Sequence, residues 1–93
     1  MMNYQEMSDH EISCEVGRKI SFADYIMARN GQVNYCNSWA DAGPIVQENR
    51  ISLFASDDDV KWMAQFINHK NVHMDKNPLR AAMVVFLMMK GGE

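Results

Sequence analysis

At 93 residues the chain has the size of one domain, close to the length at which a single core suffices without disulfide staples. Hydrophobic residues make up 47% of it, which excludes long disorder, and the formal charge of −3 weighs against a nucleic-acid ligand, whose phosphates demand clustered Lys and Arg. The longest apolar run, Ala81 to Met89, is nine residues, about half of the roughly 20 needed to span a bilayer.

The first nine residues are polar and acidic, unlike the basic-then-apolar order of a secretory leader. A soluble protein in a reducing cytoplasm is expected, with Cys14 and Cys36 as free thiols. Charge is uneven. Residues 1–59 set four bases against ten acids, whereas residues 60–93 set five bases against Asp75 and Glu93. Such an asymmetry either reflects which faces are wet, the simpler reading, or steers a partner.

The first element reads as a helix. Ser8 with Glu11 three residues on is a capping-box pattern, and Ile12, Val16 and Ile20 recur every fourth residue to make an apolar stripe. Asp9 and Glu11 suit the positive end of its dipole, Arg18 and Lys19 the negative end. A β-hairpin is expected next, Phe22 to Ala28 and Gln32 to Cys36 flanking Asn30-Gly31, the preferred pair for a type I′ turn.

Asn37 and Ser38 then open a second helix over roughly Trp39 to Asn49, interrupted by Pro44. Because proline is harmless only in the first turn, either Asp41 is the N-cap or a first turn over Trp39–Ala42 precedes a kink. A second hairpin follows, Ile51 to Ala55 and Val60 to Ile67, turning on Asp57-Asp58-Asp59. The fourfold spacing of Trp62 with Phe66 and of Met63 with Ile67 leaves a helical reading of the second arm open.

After a loop from Asn68 to Lys76, Asn77 caps a last helix with Pro78 at its first position, running Leu79 to Lys90 and stopping at Gly91-Gly92. Apolar all round, this helix is expected at the centre of the core. The fold class is therefore α+β: an N-terminal helix, then two β-hairpin–helix units, with about four strands in one sheet and a buried C-terminal helix. That order is compatible with one domain over 1–93 containing an internal duplication of 21–50 and 51–90, in which Asn37 matches Asn77 and Ala42 matches Ala82.

Catalytic constellations are missing: there is no Gly-rich phosphate loop, Gly-x-Ser-x-Gly elbow or Cys-x-x-Cys. His69 and His73 are four apart but read as loop residues with no clear third ligand, so no metal and no cofactor are expected. The Asp57–Asp59 run lacks the Gly and distal Glu of a calcium loop. Cys14 and Cys36 read as small core or boundary residues, and Met83, Met88 and Met89 as core filling.

Two residues stand out. Trp39, at a helix start beside Asn37, Ser38 and Asp41, is either a core wedge or a partner anchor. Arg80 places a cation at the end of a helix where the dipole opposes it, so an acid such as Asp41, or an anionic ligand, must offset it. Trp39, Asp41 and Arg80, edged by Asn37 and Asn77, form the candidate binding surface, at the N-terminal ends of the last two helices.

Several segments resemble one known family: Tyr35-Cys36-Asn37, Ala40-Asp41-Ala42, Pro44-Ile45-Val46, Glu48 to Leu53, and Asn77 to Met89 are similar to the phage NinX-like family, small phage and prophage proteins of unknown function. The similarity covers residues 35–53 and 77–90. Gly43 stands where a large aromatic is expected, and the first hairpin is short. The resemblance implies a phage accessory protein in the cytoplasm of a bacterial host and supplies no catalytic residues.

From that context the expected function is non-enzymatic: binding a host bacterial protein, such as a component of anti-phage defence, and modulating or inhibiting it. The alternative is a small-ligand module that sequesters a phosphorylated or nucleotide-like anion at the two Asn-led helix N-termini, with Arg80 as a fork. Asp41 opposes that alternative by repelling an anion.

Overall fold

The computed structural model describes residues 3–55, 61–66 and 71–91. A short 3-10 turn, Tyr4–Glu6, leads into helices α1 (Asp9–Ile20), α2 (Phe22–Arg29) and α3 (Trp39–Glu48). Strands β1 (Ser52–Ala55), β2 (Trp62–Gln65) and β3 (Val72–Asp75) follow, and helix α4 (Pro78–Gly91) is the last element among the described residues. The α+β class holds. The two hairpin–helix units do not: residues 21–50 form two helices and residues 51–90 a meander and one helix, so the two halves differ in element order.

The α1 capping box is complete. The Glu11 N–H donates to the Ser8 hydroxyl, and the Ser8 N–H donates to the Glu11 carboxylate. Ile12, Ser13, Val16 and Gly17 are buried, while Ile20 at the end of the stripe is exposed.

The segment expected to be the first hairpin is α2. Ser21 ends α1 and caps α2 at once: its hydroxyl accepts from the Asp24 N–H and donates to the Asp24 carboxylate. The Asn30-Gly31 pair closes the helix instead of turning a hairpin. Gly31 sits at φ +80°, its N–H donates to the Ala28 carbonyl, and the Gln32 N–H donates to the Met27 carbonyl. Those two bonds are a Schellman motif, which needs the same positive φ as a type I′ turn.

With one residue between them, α1 and α2 pack closely. A Cβ built on Gly17 would lie 2.7 Å from the Asp24 carbonyl oxygen. The Arg18 guanidinium sits 4.4 Å from the Tyr25 ring centroid, a cation–π contact across the same joint.

Ser38 is the N-cap of α3, accepting from the Asp41 N–H, so the helix begins at Trp39 and Pro44 falls inside it. The missing proline N–H removes one intrahelical bond. Gly43 relieves the clash that any Cβ before a proline meets in helical conformation, which gives a physical reason for glycine where the resemblance suggests an aromatic.

The sheet has three strands among the described residues, antiparallel in the order β1-β2-β3. Leu53 faces Ala64 and Ala64 faces His73; Phe54 faces Met63 and Met63 faces Met74. The second hairpin is thus present, and the helical reading of its second arm is excluded over Trp62–Gln65. β3 lies where a loop was expected. The Asp57–Asp59 turn, Val60, Ile67 and His69 lie outside the described residues.

α4 is the central element, as its composition predicts. Leu79 and every residue from Ala81 to Leu87 are buried, and the helix packs on α1, α3 and all three strands. Burial on that scale stabilises at about 1.5–3 kcal/mol per large apolar side chain.

Gly17→Ala gives the sharpest test of the α1–α2 joint. Helix propensity alone would raise stability by roughly 1 kcal/mol. The clash with the Asp24 carbonyl instead predicts a loss of about 1–3 kcal/mol, read as a lower urea midpoint at unchanged slope. A stabilised variant would mean that the joint is looser than described.

Candidate functional site

The N-terminal end of α4 is the most polar place in the interior, and Arg80 is its centre. Its Nε donates to Asp75 Oδ2 at 3.0 Å and its Nη1 to Asp9 Oδ1 at 2.6 Å, while Nη2 donates to the carbonyls of Tyr4 and Met7. Four of its five N–H donors are thereby committed, and only 12% of the side chain is exposed. The acids that offset the α4 dipole penalty are Asp9 and Asp75, not Asp41.

Asn77 is the second hub. Its Oδ1 accepts from the N–H groups of Leu79 and Arg80, capping α4. Its Nδ2 donates to the Cys36 carbonyl at 2.6 Å and to Asn37 Oδ1 at 3.2 Å. Asn37 in turn donates to Asp9 Oδ2 and Asn34 Oδ1, and the Asn34 N–H donates to Asp41 Oδ2. The starts of α3 and α4 are therefore neighbours, and Asn37, Asn77 and Arg80 belong to one network that Asp41 joins through Asn34. Trp39 does not join it; it is 58% exposed at the first position of α3, so it is no core wedge.

Titration at this end follows from burial. The Cys36 thiol, which contacts the Asp9 carbonyl, is pushed up to about 12, chiefly by burial and then by the Asp9 carboxylate. Cys14 is also raised, by burial and by Glu15, although His10 Nε2 lies 3.6 Å away. Neither thiol is poised as a nucleophile. His73, on β3, is lowered because burial penalises its charged form more than Asp75 favours it. Its Nε2 stands 3.8 Å from Asp75 Oδ2, beyond hydrogen-bond reach. Among the described residues no group of His, Cys, Asp and Glu is placed to hold a metal ion.

Two further features carry no motif in the sequence. The first is the face of the sheet opposite α4. Cross-strand neighbours share a face, so Phe54, Met63 and Met74 form one apolar row. Phe54 is 44% and Met74 43% exposed, and Val72, two residues before Met74 on the same face, is exposed as well. Only β3 alternates apolar with polar residues, and β1 and β2 carry apolar residues on both faces, so the sequence offered little signal for it.

The second is a cavity of about 410 Å³. Asp24 from the first turn of α2, Asp41 from the first turn of α3, and Tyr35, Ile45 and Phe86 line it, with the exposed Lys19, Glu48 and Lys90 at its edge.

The model of the family described as "Bacteriophage P22, NinX" matches residues 5–90. No curated protein and no solved structure matches the chain.

Replacing Arg80 tests the polar hub. Arg80→Met leaves Asp9 and Asp75 without their shared cation and removes a donor from the Tyr4 and Met7 carbonyls, the first of which keeps the Met7 N–H. The expected loss is about 3 kcal/mol, the low end for breaking a buried pair because Asp9 is partly exposed. Arg80→Lys should recover little, since an ammonium cannot span four acceptors in a planar fork; full recovery with Lys would show that charge alone matters.

His73 sets an acid limit. Its folded pKa lies below the ordinary 6.5, so the unfolded chain binds the proton more readily. The stability this neutral imidazole contributes is complete above pH 6.5 and falls as pH drops from there toward the lowered folded value. His73→Gln should flatten that part of the melting-temperature profile between pH 7 and 5, and an unchanged slope would assign the acid sensitivity elsewhere.

Proposed function

The chain belongs to the NinX family of phage proteins, and we propose that it is a non-enzymatic accessory protein that docks on a host bacterial protein and modulates or inhibits it. The observation that carries this reading is the apolar row Phe54–Met63–Met74 with Val72, on the sheet face that α4 leaves uncovered. Contiguous exposed apolar side chains of this kind are what partner surfaces use, and soluble monomers otherwise keep them few. A methionine-containing face adapts its shape to a partner at low cost. Trp39, exposed at the start of α3, is a second anchor of the residue type most enriched at interface hot spots.

The polar end of α4 supports a structural role in this reading. Arg80 and Asn77 spend their donors on the fold, and both thiols are held protonated. The anion-sequestering alternative draws less support for the same reason: the fork that would hold a phosphate is occupied by Asp9 and Asp75, and the α3 start carries Asp41.

Affinity capture from lysate of the bacterial host tests it. Phe54→Ser with Met74→Ser should reduce capture of the host protein at least about tenfold. Both positions are exposed, so the melting temperature should move by only a few degrees. Trp39→Ala should weaken capture at equally preserved stability. If both variants retain the host protein as wild type does, the proposed surface is wrong.

A further inference from the structure

The cavity between α2 and α3 has a composition that the fold does not require. Asp24 and Asp41 each occupy the third helical position behind a serine N-cap, in the matching tetrapeptides Ser21-Phe22-Ala23-Asp24 and Ser38-Trp39-Ala40-Asp41. Each carboxylate commits one oxygen locally: Asp24 Oδ2 accepts from the Ser21 hydroxyl, Asp41 Oδ2 from the Asn34 N–H. The other oxygen of each has no partner among the described residues. No ion pair among the described residues joins either carboxylate to Lys19 or Lys90, which sit exposed at the edge.

Between the two acids stands Tyr35. It is 4% exposed, its backbone is pinned by the N–H bond to the buried Ser13 hydroxyl, and it lines the cavity. Its phenol has no hydrogen-bond partner among the described residues, and its pKa is raised, first by burial and then by the Asp24 and Asp41 carboxylates that share the cavity wall with it. The ring is buried while the hydroxyl, which no protein group among the described residues engages, stays accessible where Tyr35 lines the cavity. Ile45 and Phe86 complete an apolar floor.

We propose that this cavity is a binding site for an organic cation, an ammonium or guanidinium group seated on the free oxygens of Asp24 and Asp41 and on the Tyr35 hydroxyl. Two half-buried carboxylates with spare acceptors, a phenol oxygen and an apolar floor make up a site for a positively charged head on a short apolar stem. An anion is repelled there. A metal ion would need more oxygens at closer range than two carboxylates and a phenol supply. The site lies apart from the sheet face proposed above for protein docking and stands independently of it.

Three probes test it on the full chain by isothermal titration, with the Tyr35 ring resonances followed by NMR: N-acetylarginine amide for a polypeptide side chain, spermidine for a free amine, and N-acetylcitrulline amide as a neutral shape control. At least one cation is expected to bind saturably and to shift the Tyr35 ring signals, at least about tenfold tighter than the citrulline control. The tighter of the two cations identifies the source. Asp24→Asn with Asp41→Asn, which keeps an acceptor at each cap, should weaken binding at least about tenfold.

Tyr35→Phe, which removes only the hydroxyl, should weaken it about threefold or more at unchanged melting temperature. Equal binding of the citrulline control, no Tyr35 response to either cation, or cation binding untouched in a folded Asn double variant or in Tyr35→Phe would each overturn the proposal. Host-protein capture by the wild-type chain in the presence of either cation separates this site from the docking face, since only the cavity is expected to respond to these probes.

Discussion

Everything at the base of this molecule is tied to one guanidinium. Arg80 holds the turn before α1 through the carbonyls of Tyr4 and Met7, α1 itself through Asp9, and β3 through Asp75, while being part of α4. A cation in the first turn of a helix is unfavourable against the dipole. Here the penalty is outweighed because the planar fork satisfies two carboxylates and two carbonyls in one place, which no other side chain could do. Asn77 extends the same knot to the loop before α3, joining the Cys36 carbonyl and Asn37. The apolar length of α4 gives most of the stabilisation, yet it would pack in several rotations and shifts about its own axis. The polar knot at its foot selects one.

That division of labour decides where function can reside. A network whose donors are used up by the fold has little left for a ligand, however suggestive its residue types look in the sequence. Conversely, the surfaces with unsatisfied or uncovered groups are elsewhere: the apolar row on the open side of the sheet, exposed Trp39, and the cavity between Asp24, Tyr35 and Asp41. Each is a place where the fold has left a group without a partner that its chemistry would favour.

The parts of the fold legible in the sequence are those governed by local rules with one solution. The Ser8–Glu11 box, the all-apolar α4 with its Asn77-Pro78 start, and the β1–β2 pairing belong there. The first hairpin was misread because Asn-Gly serves two motifs that share a positive φ, a type I′ turn and a Schellman cap. The deciding signal lay nine residues upstream, where Ser21 and Asp24 repeat the cap spacing of Ser8 and Glu11.

β3 went unread because Val72-His73-Met74-Asp75 alternates apolar with polar residues only twice, and its inward side chains are a histidine and an aspartate, the latter tied to Arg80. Arg80 was legible as an anomaly. Its partners were not, since Asp9 is separated from it by most of the chain and nothing local distinguishes it from Asp41. Asn37 and Asn77, matched as equivalents in a duplication, are in contact for a different reason: both sit at the seam between α3 and α4.

The charge asymmetry of the chain has its explanation in the same caps. Of the ten acids in the first 59 residues, Asp9, Glu11, Asp24 and Asp41 all stand in first turns of helices that begin at a serine N-cap. They are acidic because helix N-termini favour negative charge, so four of the ten acids of the negative half belong to its helix starts, three of which occur before β1. A capping carboxylate needs only one oxygen for its cap. Where two such starts converge on a buried tyrosine, as α2 and α3 do on Tyr35, the spare oxygens gather in one cavity without any residue having been added for that purpose. A site of this kind carries no motif of its own, because each half of it is already accounted for by the helix it caps, and it becomes visible only when the fold brings the two caps together, α2 packed on α1 and both α1 and α3 packed on α4.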